Sequence, residues 1–289
     1  MEEPITLRSR NLAIVLLDII GSTAFVQKVG AVKAAKWFQY HDRLTRNLCY
    51  RFDGREIDRS DGFLLSFDRT IDAVNFALLY QAQIPTKTKL NCRIGIHWGS
   101  IVEVEQEEIF VASGAKRIEL EGISKNIAAR TMSLCQAGQV LLTKSAMKAV
   151  MNRTNMFTPK GTRYVCVGMY KFKGVKDGME IYAVGTTIES LQPPKGSDKV
   201  KRLGGPKYIK SKARDRKLKE WFWWIYWRLG FISFIYLLCV FWPFLTNETA
   251  RQIIPISEWW FLPFDLIQGI FTFVKETYVH LFKDLGVLK

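Results

Sequence analysis

The feature that most constrains this chain is an apolar run that ends in a single acidic residue. Residues 12–17, Leu-Ala-Ile-Val-Leu-Leu, precede Asp18, and the small residues Gly21-Ser22-Thr23 follow it closely. The run predicts a buried strand over residues 11–19, and the small residues predict a turn before a helix. A carboxylate at a strand end suits a metal ion, and the amides of the turn and helix start suit a phosphate. Taken alone, Asp18 fits a plain turn or helix cap as well.

The rest of the apolar pattern predicts an α/β sandwich of the ferredoxin-like type, with a mostly antiparallel sheet. Apolar residues recur at helical spacing after Ser22, with a break near Gly30, and an Asp61-Gly62 turn between two short apolar runs predicts a hairpin. The predicted elements are a strand at 11–19, a helix at 22–50, a hairpin at 55–67, a helix at 69–83, a strand pair at 89–105, a helix at 122–135, and strands at 139–143, 163–174 and 179–184.

Charge and composition change after this α/β domain, which we expect to span residues 1–190. Residues 195–219 carry eleven Lys and Arg against two Asp, which is +9 of the net charge of +15. This basic stretch, together with several Pro and Gly, predicts a linker over 191–220.

The segment after the linker predicts a transmembrane helix over 221–245. Residues 229–245 carry no charge, and the aromatic stretch 221–227 before them resembles a membrane-interface belt, with Arg228 between the two. The basic side would then lie in the cytoplasm, which gives a catalytic domain tethered at the inner membrane through contact with lipid. A buried core helix is the alternative. Residues 246–289, rich in aromatics, could lie at the interface or form a second span.

Other classes of protein are disfavoured by the composition. The five cysteines are scattered without a Cys-x-x-Cys spacing, which argues against a zinc site or a disulfide framework and fits a reducing compartment. The polar start of the chain predicts no signal peptide. The basic stretch could bind nucleic acid, but no groove-reading motif accompanies it, so we expect no nucleic-acid partner.

Five ordered segments together resemble the class III nucleotidyl cyclase catalytic domain. They are LLDIIGSTAF, GREIDRSDGFLLSF, RIGIHWGSIV, GISKNIAART followed by AGQVLLT, and YKFKGV with EIYAV, and they span about residues 8–185. The resemblance implies that Asp18 and Asp61, with the backbone carbonyl of Ile19, hold two divalent metal ions, Mn²⁺ or Mg²⁺. It also implies a nucleoside triphosphate as substrate.

The same resemblance assigns roles to residues further along the chain. Asn126 would orient the ribose and Arg130 would stabilise the transition state, since residues four apart share one helix face. Lys173 would contact the triphosphate, although a solvated strand lysine is the alternative. His97 and Arg93 are expected to be structural. Because the family builds each site from two subunits and this chain carries both residue sets, the resemblance implies a homodimer.

Two positions depart from the purine cyclases. Ile57 stands where ATP cyclases carry a lysine, and Glu119 stands where they carry an aspartate. An aliphatic side chain offers no donor to adenine. This pattern resembles the bacterial pyrimidine cyclases of the Pycsar anti-phage system and predicts that UTP becomes cyclic UMP, which acts on a separate effector protein. Cyclic CMP from CTP, cyclic AMP from ATP, and a nucleotide-binding domain without catalysis remain alternatives.

Overall fold

A computed structural model describes residues 7–60, 62–152 and 158–246 of this 289-residue chain. The chain divides into two compact units, residues 1–214 and 215–289. The sheet and the helices that pack on it belong to the first unit.

The first unit is built on a nine-stranded sheet that is antiparallel except where β4 pairs with β6. The strand order is β2-β3-β1-β4-β6-β8-β7-β9, and β5 pairs with the far end of β4. The strands are β1 (Leu7–Ile19), β2 (Gly54–Arg59), β3 (Gly62–Phe67), β4 (Cys92–Glu105), β5 (Ile118–Glu121), β6 (Val140–Thr143), β7 (Arg163–Phe172), β8 (Gly178–Gly185) and β9 (Val200–Gly204).

The helices connect these strands and cover the sheet. They are α1 (Ser22–Val29), α2 (Ala31–Arg51), α3 (Thr70–Lys87), α4 (Glu108–Ala112), α5 (Ile123–Leu134), α6 (Lys144–Met151) and α7 (Pro206–Thr246), with a short 3₁₀ helix at Glu189–Leu191. The break between α1 and α2 falls at Gly30, whose φ of 85° favours glycine. The mostly antiparallel α/β architecture expected from the sequence is confirmed.

The alternation of side chains along β1 decides which face of the sheet carries Asp18. Ala13, Val15, Leu17 and Ile19 belong to the largest core cluster, together with residues of α2 and α3. Leu12 and Ile14 point to the opposite face, into a smaller cluster with residues of β2, β5 and α5. Since successive strand residues alternate between faces, Asp18 lies on the second face, the one that α5 and β5 partly cover.

The structure differs from the expected elements at one central strand. The expected strand pair at 89–105 is the single strand β4, which pairs with β1 over its whole length, from Ile19↔Cys92 to Leu7↔Val104. Gly99 does not form a turn. A Cβ at this position would lie 2.5 Å from Ser124 Oγ and 2.7 Å from His97 Nε2, so glycine here allows α5 to pack closely on the strand.

The segment expected as a linker, residues 191–220, contributes a strand to the sheet. β9 pairs with β7 in antiparallel register, including Phe172↔Val200, and both of these side chains are buried. The hydroxyl of Tyr170 on β7 donates to the carbonyl of Pro194, 2.8 Å away. Part of this basic stretch is therefore an edge strand of the sheet and not a linker.

The expected transmembrane helix over 221–245 is wrong. α7 runs through this region, but among the described residues no helix contains a stretch long and apolar enough to cross a membrane. The described side chains of α7 end at Ile235, and Lys219, Glu220 and Arg228 interrupt the apolar residues before it. Arg228 stacks over the Trp224 ring, 3.9 Å from its centroid.

This correction also affects two other predictions. The inner-membrane location and the lipid partner were both inferred from the transmembrane helix, so their basis is removed. The expectation that 246–289 spans or lies on a membrane concerns residues that, after Thr246, lie outside the described residues. The four cysteines whose side chains are described, Cys49, Cys92, Cys135 and Cys166, are all free thiols.

Candidate active site

Asp18 is held in place by an arginine directly across the sheet. Arg93 of β4 is its register partner, and its Nε and Nη2 atoms donate to Oδ2 of Asp18 at 3.0 and 2.6 Å. The side chains of Asp18 and Arg93 are only 20 % and 26 % exposed. A planar guanidinium that makes two hydrogen bonds to one oxygen fixes the orientation of the carboxylate.

The donor set at Asp18 fits part of a divalent metal site. Arg93 engages Oδ2 alone, which leaves Oδ1 for a cation, and hard divalent ions prefer carboxylate and backbone carbonyl oxygens such as that of Ile19. Across residues 7–60, 62–152 and 158–246, no group of three or more His, Cys, Asp or Glu side chains could hold a metal ion. The predicted second carboxylate, Asp61, lies outside the described residues, so its role stays a prediction.

The second strand of the β2–β3 hairpin begins beside Asp18. Gly62, the first residue of β3, is in register with Asp18. A Cβ on Gly62 would lie 2.4 Å from the carbonyl oxygen of Leu17, so only glycine fits this position without a shift of the backbone. The close approach of β3 to β1 thus places the start of β3 beside Asp18.

A cavity of about 510 Å³ brings three of the predicted site residues together: Asp18, Ile57 and Glu119. Ile57 is buried, with 8 % exposure, and packs in the cluster that contains Leu12 and Leu120. Glu119 is exposed on β5. The cavity therefore combines the carboxylate of Asp18 with an apolar wall and a second carboxylate.

Helix α5 carries the two predicted transition-state residues on its outer face. The helix packs on the sheet through buried residues that include Ile127, Ala128 and Thr131. Asn126 is exposed and Arg130 is half-buried. Neither of them lines the cavity that contains Asp18. A single subunit therefore does not bring all of the predicted catalytic groups into one cavity.

The remaining predicted contacts lie apart from this cavity as well. Lys173 is exposed just after β7, and its backbone N–H donates to the carbonyl of Lys199, 3.0 Å away. It lines a separate cavity of about 560 Å³ with several other lysines. Gly21-Ser22-Thr23 is exposed at the start of α1, where Gly21 has a φ of 69°.

Two residues of β4 that were expected to be structural have different surroundings. His97 is buried, its Nδ1 lies 2.9 Å from Thr143 Oγ1, and burial lowers its pKa to about 4, so the ring is neutral near neutral pH. Arg93, in contrast, contacts Asp18 directly. The sequence reasoning missed this contact, although pairing β1 with a single long β4 in antiparallel register would have placed the two residues opposite each other.

Lys116 is a further residue that the sequence reasoning did not single out. It precedes β5, lines the same cavity as Ile57 and Glu119, and its Nζ lies 2.6 Å from Oδ1 of Asp58 on β2. A lone lysine in a turn-rich segment gives no sequence signal of this kind. The contact arises because β2 and β5, which are not neighbours in the sheet, approach each other on this face.

Comparison with known proteins decides the family. Residues 6–186 match the model of the adenylate and guanylate cyclase catalytic domain. This chain belongs to that family. The class III resemblance stated above is thereby confirmed, and membership implies nucleotide cyclase activity. Cyclase domains of this kind bind a nucleoside triphosphate, use divalent metal ions and act as dimers.

Solved cyclase structures share the fold of this domain. The adenylyl cyclase CyaB from P. aeruginosa is 16 % identical, with a TM-score of 0.54 over 64 % of this chain and 99 % of that one. Adenylate cyclases from Trypanosoma brucei reach 20 % identity and a TM-score of 0.52, over 68 % of this chain and 94 % of theirs. The guanylyl cyclase Cya2 reaches 20 % and 0.51, over 64 % and 98 %. No curated protein sequence matches the chain significantly.

Proposed function

We propose that this cyclase domain converts a pyrimidine nucleoside triphosphate, UTP in preference to CTP, into the 3′,5′-cyclic monophosphate and pyrophosphate. The observation that carries the proposal is Ile57. It is buried and apolar, and it lines the cavity with Asp18 and Glu119 at the position where ATP cyclases carry a lysine. Without a donor at this position the usual contact to adenine is lost.

The reaction joins the ribose 3′-oxygen to the α-phosphorus as pyrophosphate leaves and the 3′-proton passes to solvent. Two divalent metal ions held by Asp18, Asp61 and the Ile19 carbonyl would favour loss of the 3′-proton and neutralise charge at the α-phosphate. Arg93 contributes by holding the Asp18 carboxylate through Oδ2.

Four further groups bind and orient the substrate in this proposal. Asn126 orients the ribose, and the always-charged fork of Arg130 stabilises the negative charge that builds on the α-phosphate. Lys173 and the exposed Gly21-Ser22-Thr23 turn bind the phosphates, the turn through backbone amides.

Each complete site is shared between two subunits of a homodimer. The separation of Asn126 and Arg130 from the Asp18 cavity within one chain supports this arrangement. In it, the metal carboxylates of one subunit face α5 of its partner. The resemblance to the Pycsar cyclases extends the proposal to a second messenger in bacterial anti-phage defence, recognised by a separate effector protein.

The product assay tests the proposal directly. The purified full-length chain is incubated with Mn²⁺ and each of the four NTPs in turn, and the products are identified by mass spectrometry. Cyclic UMP as the main product is expected. Cyclic AMP as the only product would overturn the pyrimidine assignment, and nucleotide binding without any product would favour a domain that has lost catalysis.

A matched pair of variants tests the metal carboxylate. Asp18→Asn keeps the shape of the side chain but removes its charge, and we expect product formation to fall by about 100-fold or more. Asp68→Asn is the control, since Asp68 also pairs with an arginine, Arg10, but is exposed and lies outside the cavity. Equal loss in both variants would contradict the role of Asp18.

A further inference from the structure

The cavity that contains Ile57 and Glu119 also contains a cation with no assigned role. The ammonium of Lys116 lies at this cavity and pairs with Asp58 at 2.6 Å. Lys116 comes from the segment before β5 and Asp58 from β2, so the ion pair joins two strands that do not pair in the sheet. Lys116 is three residues before Glu119, and Asp58 directly follows Ile57.

This placement puts a hydrogen-bond donor next to the position where residue 57 lacks one. We propose that Lys116, aligned by Asp58, donates to an acceptor on the nucleobase while Glu119 accepts from the neighbouring N–H. The inference deepens the proposed function and rests on it, because it assumes that the cavity receives the base of a nucleoside triphosphate. Lys116 is then a specificity-determining residue that replaces the donor missing at Ile57.

Asp58 acts as a positioning residue for this lysine. A lysine side chain has four rotatable bonds, and ordering it for a ligand costs less conformational entropy when a partner already holds it. The Asp58 side chain is 26 % exposed and the Lys116 side chain 49 %, so the carboxylate is the more fixed of the two. An ammonium has three N–H donors. One contact to Asp58 therefore leaves two donors for a ligand.

The surroundings of the pair favour a neutral, hydrogen-bonding base. Apolar side chains line the same cavity, among them Leu16, Leu64 and Leu120. Lys116 and Asp58 neutralise each other, so the charge that attracts phosphate is reduced here. The edge that suits one donor and one acceptor is an acceptor beside an N–H, as in uracil O4 with N3–H. Cytosine and adenine have the two exchanged, with an amine beside a ring-nitrogen acceptor, whereas guanine O6 with N1–H keeps the order of uracil on a larger ring.

The experiment compares three single variants of the full-length chain. Lys116→Met removes the ammonium but keeps much of the side-chain length, and Lys116→Arg restores a cation. Lys144→Met is the matched control, since Lys144 is similarly exposed, at 45 %, and also pairs with a carboxylate, Glu180, but lies outside this cavity. For each chain, kcat/KM is measured with four NTPs, and the affinity is measured for 3′-deoxy-UTP, which lacks the attacking hydroxyl.

The expected result is a loss of preference among bases. Lys116→Met lowers the affinity for 3′-deoxy-UTP and kcat/KM for UTP by about 10- to 100-fold, the range for a hydrogen bond to a charged group, and brings the four NTPs closer together. Lys116→Arg recovers part of both losses. Lys144→Met leaves the ranking of the four NTPs as it is.

Two outcomes separate this inference from the proposed function. An unchanged ranking in Lys116→Met, with unchanged 3′-deoxy-UTP affinity, overturns the role of Lys116 whatever the main product is. A wild-type chain that makes only cyclic AMP overturns the pyrimidine proposal, and the affinity is then measured with 3′-deoxy-ATP. Lys116 still reads the base in that case if Lys116→Met lowers the affinity for 3′-deoxy-ATP and flattens the preference for ATP.

Discussion

At the scale of single residues, the chemistry of Asp18 depends on what lies across the sheet from it. Its sequence neighbours, Leu17 and Ile19, are buried core residues, so they place the carboxylate but do not contact it on its own face. Arg93 supplies the contact, with both hydrogen bonds to one oxygen. The remaining oxygen can serve a metal ion because the guanidinium binds only Oδ2 and keeps the carboxylate oriented.

Two buried histidines make the stability of the domain depend on pH. Burial lowers the pKa of both His41 and His97 from 6.5 to about 4. His41 also faces Tyr80, whose hydroxyl shares a hydrogen bond with its Nδ1, and it has Asp42 and Arg59 nearby. The unfolded chain binds protons on these rings at a higher pH than the folded chain does. The stability is therefore complete above pH 6.5 and is lost as the pH falls towards 4.

We expect each histidine to cost about 2 kcal/mol of unfolding free energy between about pH 7 and pH 5. Urea unfolding at several pH values measures this loss. His97→Gln cannot titrate, so its stability should fall less steeply over the same range, even if it starts lower because the Thr143 contact is altered. The same slope in the variant and the wild type would show that burial of His97 does not lower its pKa.

At the scale of elements, the contact between β4 and α5 holds the predicted transition-state residues in place. Gly95 of β4 lies against the backbone of the helix, and a Cβ there would be 2.2 Å from the backbone nitrogen of Met132. Gly99 allows the same close approach about two turns earlier along the helix, near Ser124. The Gly-Ile-His-Trp-Gly spacing in β4 is thus explained by helix packing.

Gly95→Ala tests this contact. The added methyl must push α5 away from the sheet, and we expect a loss of about 1–3 kcal/mol in unfolding stability from overpacking. Asn126 and Arg130 belong to α5, so a shift of this helix would displace both side chains, and kcat should fall as well. Gly205→Ala is the control, because the nearest atom to its Cβ, Arg202 Nη2, is 3.8 Å away. Stability of Gly95→Ala equal to that of the control would contradict the tight packing.

Among the elements that the sequence did not predict, α4, β5 and β9 have weak local patterns. β5 is four residues long and α4 is five, too short for a period to show. β9 alternates poorly and lies in a basic stretch, and it becomes a strand because the edge of β7 offers unpaired backbone groups. β4 was split in two because its glycines look like turn residues.

At the scale of the whole molecule, the proposed active site requires two copies of the domain. Within one chain the Asp18 cavity lacks Asn126 and Arg130. A second copy related by a two-fold axis would bring each missing set to the other subunit, so that both sites are equivalent. Cyclase domains of this family act as dimers.

Complementation between two inactive variants tests the shared site. Asp18→Ala and Arg130→Ala homodimers should each be inactive, since every site lacks one essential group. After mixing and exchange of subunits, half of the dimers are mixed and each has one intact site, so roughly a quarter of the wild-type activity should return. Separate assays of each variant, and an exchange control by size and mass, accompany the mixture. Exchange without recovered activity would place both residues in the site of one subunit.

The sequence by itself determined the family and the mostly antiparallel fold, because strand alternation, helical spacing and five ordered motifs are local patterns that survive in one dimension. It also supplied the candidates Asp18, Ile57 and Glu119, which the structure gathers around one cavity. Only the tertiary structure decided that Arg93 holds Asp18 and that Lys116 lines this cavity, where it pairs with Asp58 of β2. Those contacts depend on strand register and on the approach of two strands distant in sequence. The prediction of a membrane helix was wrong, because an uncharged run in the sequence is a local pattern, whereas no helix among the described residues holds a stretch long and apolar enough to cross a membrane.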